Sequence, residues 1–146
     1  MTLDDILSQW ENECSIGDDL DAESRRIPKL HSKYISLLSK TRLSVRQKDD
    51  ELNELVLMKW RWYEGNLTKQ EIDDLGWSHD PFKGKVVTKT KYDMYMEADP
   101  DLQRAKQVLA YVKEKQMTLE EIVKALNWRH THIKNIIDNK RFESGY

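Results

Sequence analysis

The chain of 146 residues carries 24 Lys and Arg against 26 Asp and Glu, with 38% apolar and 34% charged residues. That length holds one domain, or one small domain plus an elongated element, and excludes most large cofactor folds. A charged fraction above the ~25% of an average domain, with five Gly and three Pro, points to long solvated helices, and a net charge of -2 argues at first against a polyanionic partner.

The sum hides a segregation. Residues 1–24 hold eight acids (Asp4, Asp5, Glu11, Glu13, Asp18, Asp19, Asp21, Glu23) and no Lys or Arg, whereas residues 25–48 hold eight bases (Arg25, Arg26, Lys29, Lys33, Lys40, Arg42, Arg46, Lys48) and no acid. Two readings stand side by side: both blocks are solvated helix faces, or the second is an electrostatic footprint for a polyanion. Cys14 is the only cysteine, so neither an internal disulfide nor a Cys-based zinc site is available. Its place on an apolar stripe suggests a buried small hydrophobe. With no basic-then-apolar leader and no apolar run near the roughly 18 residues of a membrane span, we expect a soluble protein of the cytosol.

In chain order, Thr2 with Asp4 and Asp5 marks a helix start, and Leu3, Ile6, Leu7, Trp10 and Cys14 recur at helical spacing. The first helix is expected over 3–14, broken by Ile16-Gly17-Asp18-Asp19. Pro28 suits the first turn of a second helix, and 29–64 contains neither Gly nor Pro until Gly65 ends it. At about 1.5 Å per residue this helix spans roughly 55 Å and needs a partner along it. Lys48 interrupts its heptad, so packing within or between subunits is expected and not a regular coiled coil. Residues 68–75 suggest a short helix, followed by a linker punctuated by Gly76, Asp80-Pro81 and Gly84.

The β-branched stretch 85–92 is the one strand candidate, and a lone strand must pair or stay mobile. Asp99-Pro100 opens a third helix to about 115, and Thr118 with Glu121 is a capping-box signature for a fourth. A last helical stretch follows Trp128. The expected fold is mainly α: an N-terminal helix, one long helix, a candidate short β segment, and a C-terminal helical region. It divides as 1–65, 66–98 and 99–146.

No phosphate-binding glycine loop occurs, and His31, His79, His130 and His132 lack ligand spacing. We expect no catalytic site, metal or cofactor, hence a non-enzyme. The densest mixture of aromatics and bases is Leu57-Met58-Lys59-Trp60-Arg61-Trp62-Tyr63. There Lys59 and Arg61 suit phosphates, while Trp60, Trp62 and Tyr63 suit stacked bases or a packed interface, with Trp62 and Tyr63 leaning to a core or interface. At about 100° per residue Lys59 and Arg61 project roughly 200° apart, so one strand reaches both only if the helix frays or subunits combine.

Lys83, Lys85, Lys89 and Lys91 come without an acid and are flanked by Phe82, Tyr92 and Tyr95. That interleaving suits a single strand, and suits a lysine-protected edge strand as well. Arg42 and Arg46 of the base-only block are counted with these as DNA-binding candidates. An alternative comes from residues 118–138, whose apolar spacing fits a helix-turn-helix that reads duplex DNA. A helical scaffold with no nucleic-acid role is the third reading.

One resemblance bears on the choice. Arg129, Ile133-Lys134, Ile136, Asp138, Phe142-Glu143 and Gly145 stand at the spacing found in the tail of the UvsY recombination mediators of T-even-type phages. The segment 57–65 is similar to that family's basic-aromatic segment, and Asp101-Leu102-Gln103 resembles the start of its C-terminal helical region. The resemblance implies a helical accessory factor that forms a small ring, hexamer or heptamer, and wraps single-stranded DNA in the host cytoplasm. It implies help in replacing single-strand-binding protein with a RecA-like recombinase during homologous recombination, repair and recombination-dependent replication, with no nucleotide cofactor. It carries DNA contact to Lys59 and Arg61. It carries oligomerisation to 119–142, through Leu119, Ile122, Leu126, Ile133, Ile136, Ile137 and Phe142.

Overall fold

The computed structural model describes residues 1–145, and among them every regular element is helical. Helix α1 (Leu3–Glu13) starts at a capping box: the Asp5 N–H donates to the Thr2 hydroxyl at 3.1 Å and the Thr2 N–H to the Asp5 carboxylate at 2.9 Å. It stops one residue short of Cys14, which is exposed in the C-cap position and not buried as its spacing suggested.

Helix α2 (Leu20–Tyr63) begins before Pro28, not after it. Asp19 accepts from the Ala22 N–H at 3.1 Å, and Arg25–Asp21 and Arg26–Glu23 pairs brace the opening turns around the missing proline donor. The far end is a Schellman motif, with Asn66 N–H to Arg61 C=O at 2.8 Å, Gly65 N–H to Trp62 C=O at 3.1 Å, and Gly65 at φ 77°.

Helix α3 (Lys69–Leu75) repeats the pattern, with a Thr68–Glu71 capping box at its start and Gly76 at φ 70° at its end. The candidate strand does not form: 85–88 is irregular, and Lys89–Lys91 tighten into a 3₁₀ turn that feeds α4 (Tyr92–Glu97). No second strand exists among the described residues to satisfy its backbone, so β propensity gives way. Helix α5 (Pro100–Asn127) runs unbroken through Thr118, whose capping-box pattern therefore lies inside a helix. Only Trp128 separates it from α6 (Arg129–Glu143).

By compactness the chain forms two units, the first assembled from two separate stretches and the second continuous. The first unit comprises 1–44 and the stretch from Val112 onward. Its core joins Ile6 of α1, Leu30, Tyr34 and Leu38 of α2, and Leu119, Ile122, Val123 and Leu126 of α5. Two guanidiniums close the C-terminal end of α1, where carbonyls lack helical partners. Arg129 donates to the carbonyls of Cys14, Glu13 and Ser15 at 2.9, 3.0 and 3.0 Å, and Arg26 to those of Glu13 and Ser15 at 3.2 and 3.3 Å. Part of the acid block thus meets part of the base block inside this unit, through Glu13–Lys33 and Glu23–Arg26, and Glu23 also meets Arg129 of α6. The second unit, Val45–Tyr111, is built on aromatic rings.

Candidate nucleic-acid interface

The basic-aromatic segment occupies the last turns of α2, in the second unit. Trp62 and Tyr63 face inward with Leu67, and Ile72, Trp77, Phe82, Tyr95 and Met96 pack around them. The Schellman turn after α3 delivers Trp77, whose N–H bonds the Ile72 carbonyl at 3.2 Å and whose ring lies 5.3 Å from that of Trp62. The Trp62 indole N–H, which needs a partner when buried, finds the Ser78 carbonyl at 2.8 Å.

Lys59 shares that inward face. Its side chain is 3% exposed, and its ammonium lies 2.8 Å from Asp101 Oδ2, 3.2 Å from Asp99 Oδ2, and 4.5 and 4.1 Å from the Trp62 and Trp77 ring centres. Asp99 is as deeply buried and fully employed. Its Oδ1 caps α5 through the Asp101 and Leu102 N–H groups at 2.9 and 3.1 Å, and its Oδ2 also accepts from the Tyr63 hydroxyl at 2.7 Å. Burial alone would raise the Asp99 carboxyl, but the Tyr63 hydroxyl, the Leu102 N–H and Lys59 together hold it below the usual carboxylate range. Burial, reinforced by Asp99, pushes the Tyr63 hydroxyl up, so it stays a neutral donor. Lys59 is thus a buried cation in this fold, neutralised by Asp99 and Asp101.

The outward residues differ. Arg61, two positions on, is part exposed and 3.8 Å from Glu71, as the roughly 200° separation requires. Trp60 is half-buried and edge-on to Tyr92 at 6.3 Å, and Tyr92 stacks on Phe82 at 5.2 Å with 25° between planes. Phe82 continues the row to Tyr95 at 5.0 Å and Tyr63 at 5.5 Å. Beside this row Lys83, Lys85, Lys89 and Lys91 are exposed, and none has an ion pair among the described residues. Arg46 is exposed in the same unit and equally unpaired. Arg42 belongs to the first unit, 3.6 Å from Glu120.

The turn that presents the first two lysines is costly. Lys85 N–H bonds the Phe82 carbonyl at 3.1 Å across Lys83 and Gly84, at φ 53° and 81°. Positive φ at both central residues is the type I′ signature, easy for glycine and unfavourable for lysine. Between the aromatic row and the start of α5 lies a cavity of about 570 Å³, lined by Lys59, Trp77, Phe82, Tyr95 and Asp101 among others.

A model of the family described as "Recombination, repair and ssDNA binding protein UvsY" matches residues 9–146. The chain belongs to the UvsY family. Three crystal forms of the bacteriophage T4 recombination mediator protein UvsY share its fold. One superposes with a TM-score of 0.82 at 20% identity over 99% of both chains. The others give 0.78 at 17% identity over 98% of this chain and 99% of that one, and 0.78 at 18% over 95% and 98%. No curated protein matches the chain significantly.

The structure also distributes the UvsY-like C-terminal residues. Leu119, Ile122, Leu126 and Ile133 are buried within the chain itself, at 0, 3, 1 and 4% exposure. Ile136 and Ile137 remain half-exposed, and Phe142 is 82% exposed. The helix-turn-helix alternative fails on geometry: one residue, Trp128 in αR conformation, joins α5 to α6, where that motif uses a turn of about 3–4 residues. Sequence reasoning missed Trp77, and it read Asp99 only as the opening of a helix. Lys59 with two carboxylates gives no local pattern, since Asp101 lies 42 residues away.

Proposed function

We propose that this chain is a recombination mediator that binds single-stranded DNA as an oligomer and promotes loading of a RecA-like recombinase in place of single-strand-binding protein. The reading rests on UvsY family membership over 9–146. The observation that carries it to particular residues is the acid-free lysine run 83–91, unpaired beside the Trp60–Tyr92–Phe82 row. Phosphate neutralisation and flat faces for stacking bind a single strand without reading its sequence. A mediator must also let the strand go, and a dispersed surface of modest contacts, multiplied by assembly, allows that.

In this reading Lys83, Lys85, Lys89, Lys91, Arg61 and Arg46 meet phosphates, with Arg42 adding to the positive field, and Trp60 offers a ring for a base to stack on. Lys59 acts from beneath, by fixing the end of α2 against the start of α5. Ile136, Ile137 and Phe142 form the part of the C-terminal apolar set left to meet another subunit in a small ring. The test is replacement of all four lysines of 83–91 by Gln. Fluorescence anisotropy should show single-strand binding weakened at least tenfold with the helical circular dichroism unchanged. Undiminished binding by that variant would remove the surface from the account.

A further inference from the structure

We infer that the cavity in the second unit receives one unstacked base of a bound DNA strand, with the adjoining phosphates on Lys83 and Lys85. The inference rests on the single-strand reading above and adds to it a site within that surface. At about 570 Å³ the cavity falls in the range of roughly 300–1,000 Å³ that holds small ligands, with room for a base and its sugar. Its walls include three aromatic rings, Trp77, Phe82 and Tyr95, each only half-buried and so still offering ring surface.

The charges suit the same occupant. Asp99 and Asp101 also line the cavity, but Lys59 engages both, and Arg104 engages Asp101 as well. The two remaining charged groups of the lining, Lys83 and Lys85, are exposed cations without ion pairs among the described residues. A cavity with aromatic walls, its two carboxylates already paired and two lysines left over, is the complement of a nucleotide, whose base is neutral and planar and whose phosphate is anionic. The left-handed backbone of Lys83, at φ 53°, points the same way. Glycine or asparagine would hold that turn at lower cost, and strain of this kind is characteristic of positions kept for a function.

A surface that tracked only the sugar-phosphate backbone would bind a strand equally well with or without its bases. A cavity that takes a base would not, since stacking contributes roughly fivefold or more per base accommodated. The experiment compares an oligodeoxythymidylate with an abasic strand of the same length and charge, by anisotropy at one salt concentration. The full-length protein should bind the abasic strand at least fivefold more weakly.

Ala98 is exposed and lines the cavity, so Ala98→Phe fills it without removing a contact of the core. This variant should lose most of the preference for the strand that carries bases, with its abasic affinity unchanged. Lys83→Gly, which relaxes the turn, should remain as stable as the parent and lose affinity for both strands. Equal binding of the two strands by the parent protein, or a normal preference in Ala98→Phe, would overturn the base site while leaving single-strand binding intact. Absence of binding to either strand would instead overturn the single-strand reading. Displacement of the strand by micromolar deoxynucleoside monophosphate would assign the cavity to a free nucleotide and overturn the inference.

Discussion

Lys59 Nζ lies 3.2 Å from Asp99 Oδ2, with the two side chains 3% and 2% exposed. Deleting one partner of such a pair strands the other charge in the core, which costs about 3–5 kcal/mol, whereas the intact pair contributes little net stability. Lys59→Ala should therefore lower the unfolding midpoint markedly, and Lys59→Met with Asp99→Asn should recover part of the loss. A double-mutant cycle from chemical denaturation gives the coupling, and additive single-mutant effects would contradict the buried pair. Weak DNA binding by Lys59→Ala then reports a loosened second unit, whereas the same loss in Lys83 or Arg61 variants reports lost contacts.

The same network sets a pH dependence. Asp99 is held below its ordinary range in the fold, so its contribution is complete above the unfolded value of about 4 and is lost as pH falls through the folded one. On the alkaline side burial, with the nearby Glu13 carboxylate, pushes Tyr34 up to about 12, and Tyr63 is also raised. Their contributions are complete below about pH 10 and are lost, for Tyr34, as pH climbs from there toward about 12. Denaturation midpoints should be flat from about pH 5 to 9 and fall at both ends. Asp99→Asn should flatten the acid limb, and an unchanged limb would assign it to other carboxylates.

Arg129 is 4% exposed and holds the end of α1 through three carbonyls, which needs the planar fork of a guanidinium. Arg129→Ala should destabilise the first unit by about 3 kcal/mol, since several charge-assisted bonds are lost and Glu23 is left without one of its partners. Arg129→Lys should recover little. Recovery of the thermal midpoint by lysine would show that charge alone matters there.

Assembly calls for surface variants. Removing residues after 115 would take Leu119, Ile122 and Leu126 out of the chain's own core, so a smaller particle would report unfolding. Ile137→Asp with Phe142→Asp leaves that core in place, because both positions lie outside it. Light scattering should give a lower mass with helicity retained, and an unchanged mass would free the C-terminal face from the interface.

Much of this was legible where local chemistry is decisive. Gly65 ends α2 because the Schellman turn requires φ of 77°, and Thr2 starts α1 because its hydroxyl reaches the Asp5 N–H. Local patterns misled where burial overrides them. Thr118 and Glu121 form a legitimate cap signature, but Leu109, Val112, Leu119 and Ile122 are all buried along one uninterrupted helix. Residues 85–92 favour a strand only if another strand is there to pair. The candidate interface was half legible: the lysine run and its aromatics read directly from composition, and the 200° between Lys59 and Arg61 correctly separates them. Which of the two faces inward depends on Asp99 and Asp101, and only the folded chain brings those carboxylates to Lys59.

The most direct test of the account is the salt dependence of strand affinity. Anisotropy with matched single-stranded and duplex oligonucleotides should show tighter single-strand binding, with log K falling against log salt at a slope of about -4 for six engaged phosphates. A preference for duplex, or an affinity indifferent to salt, would contradict it.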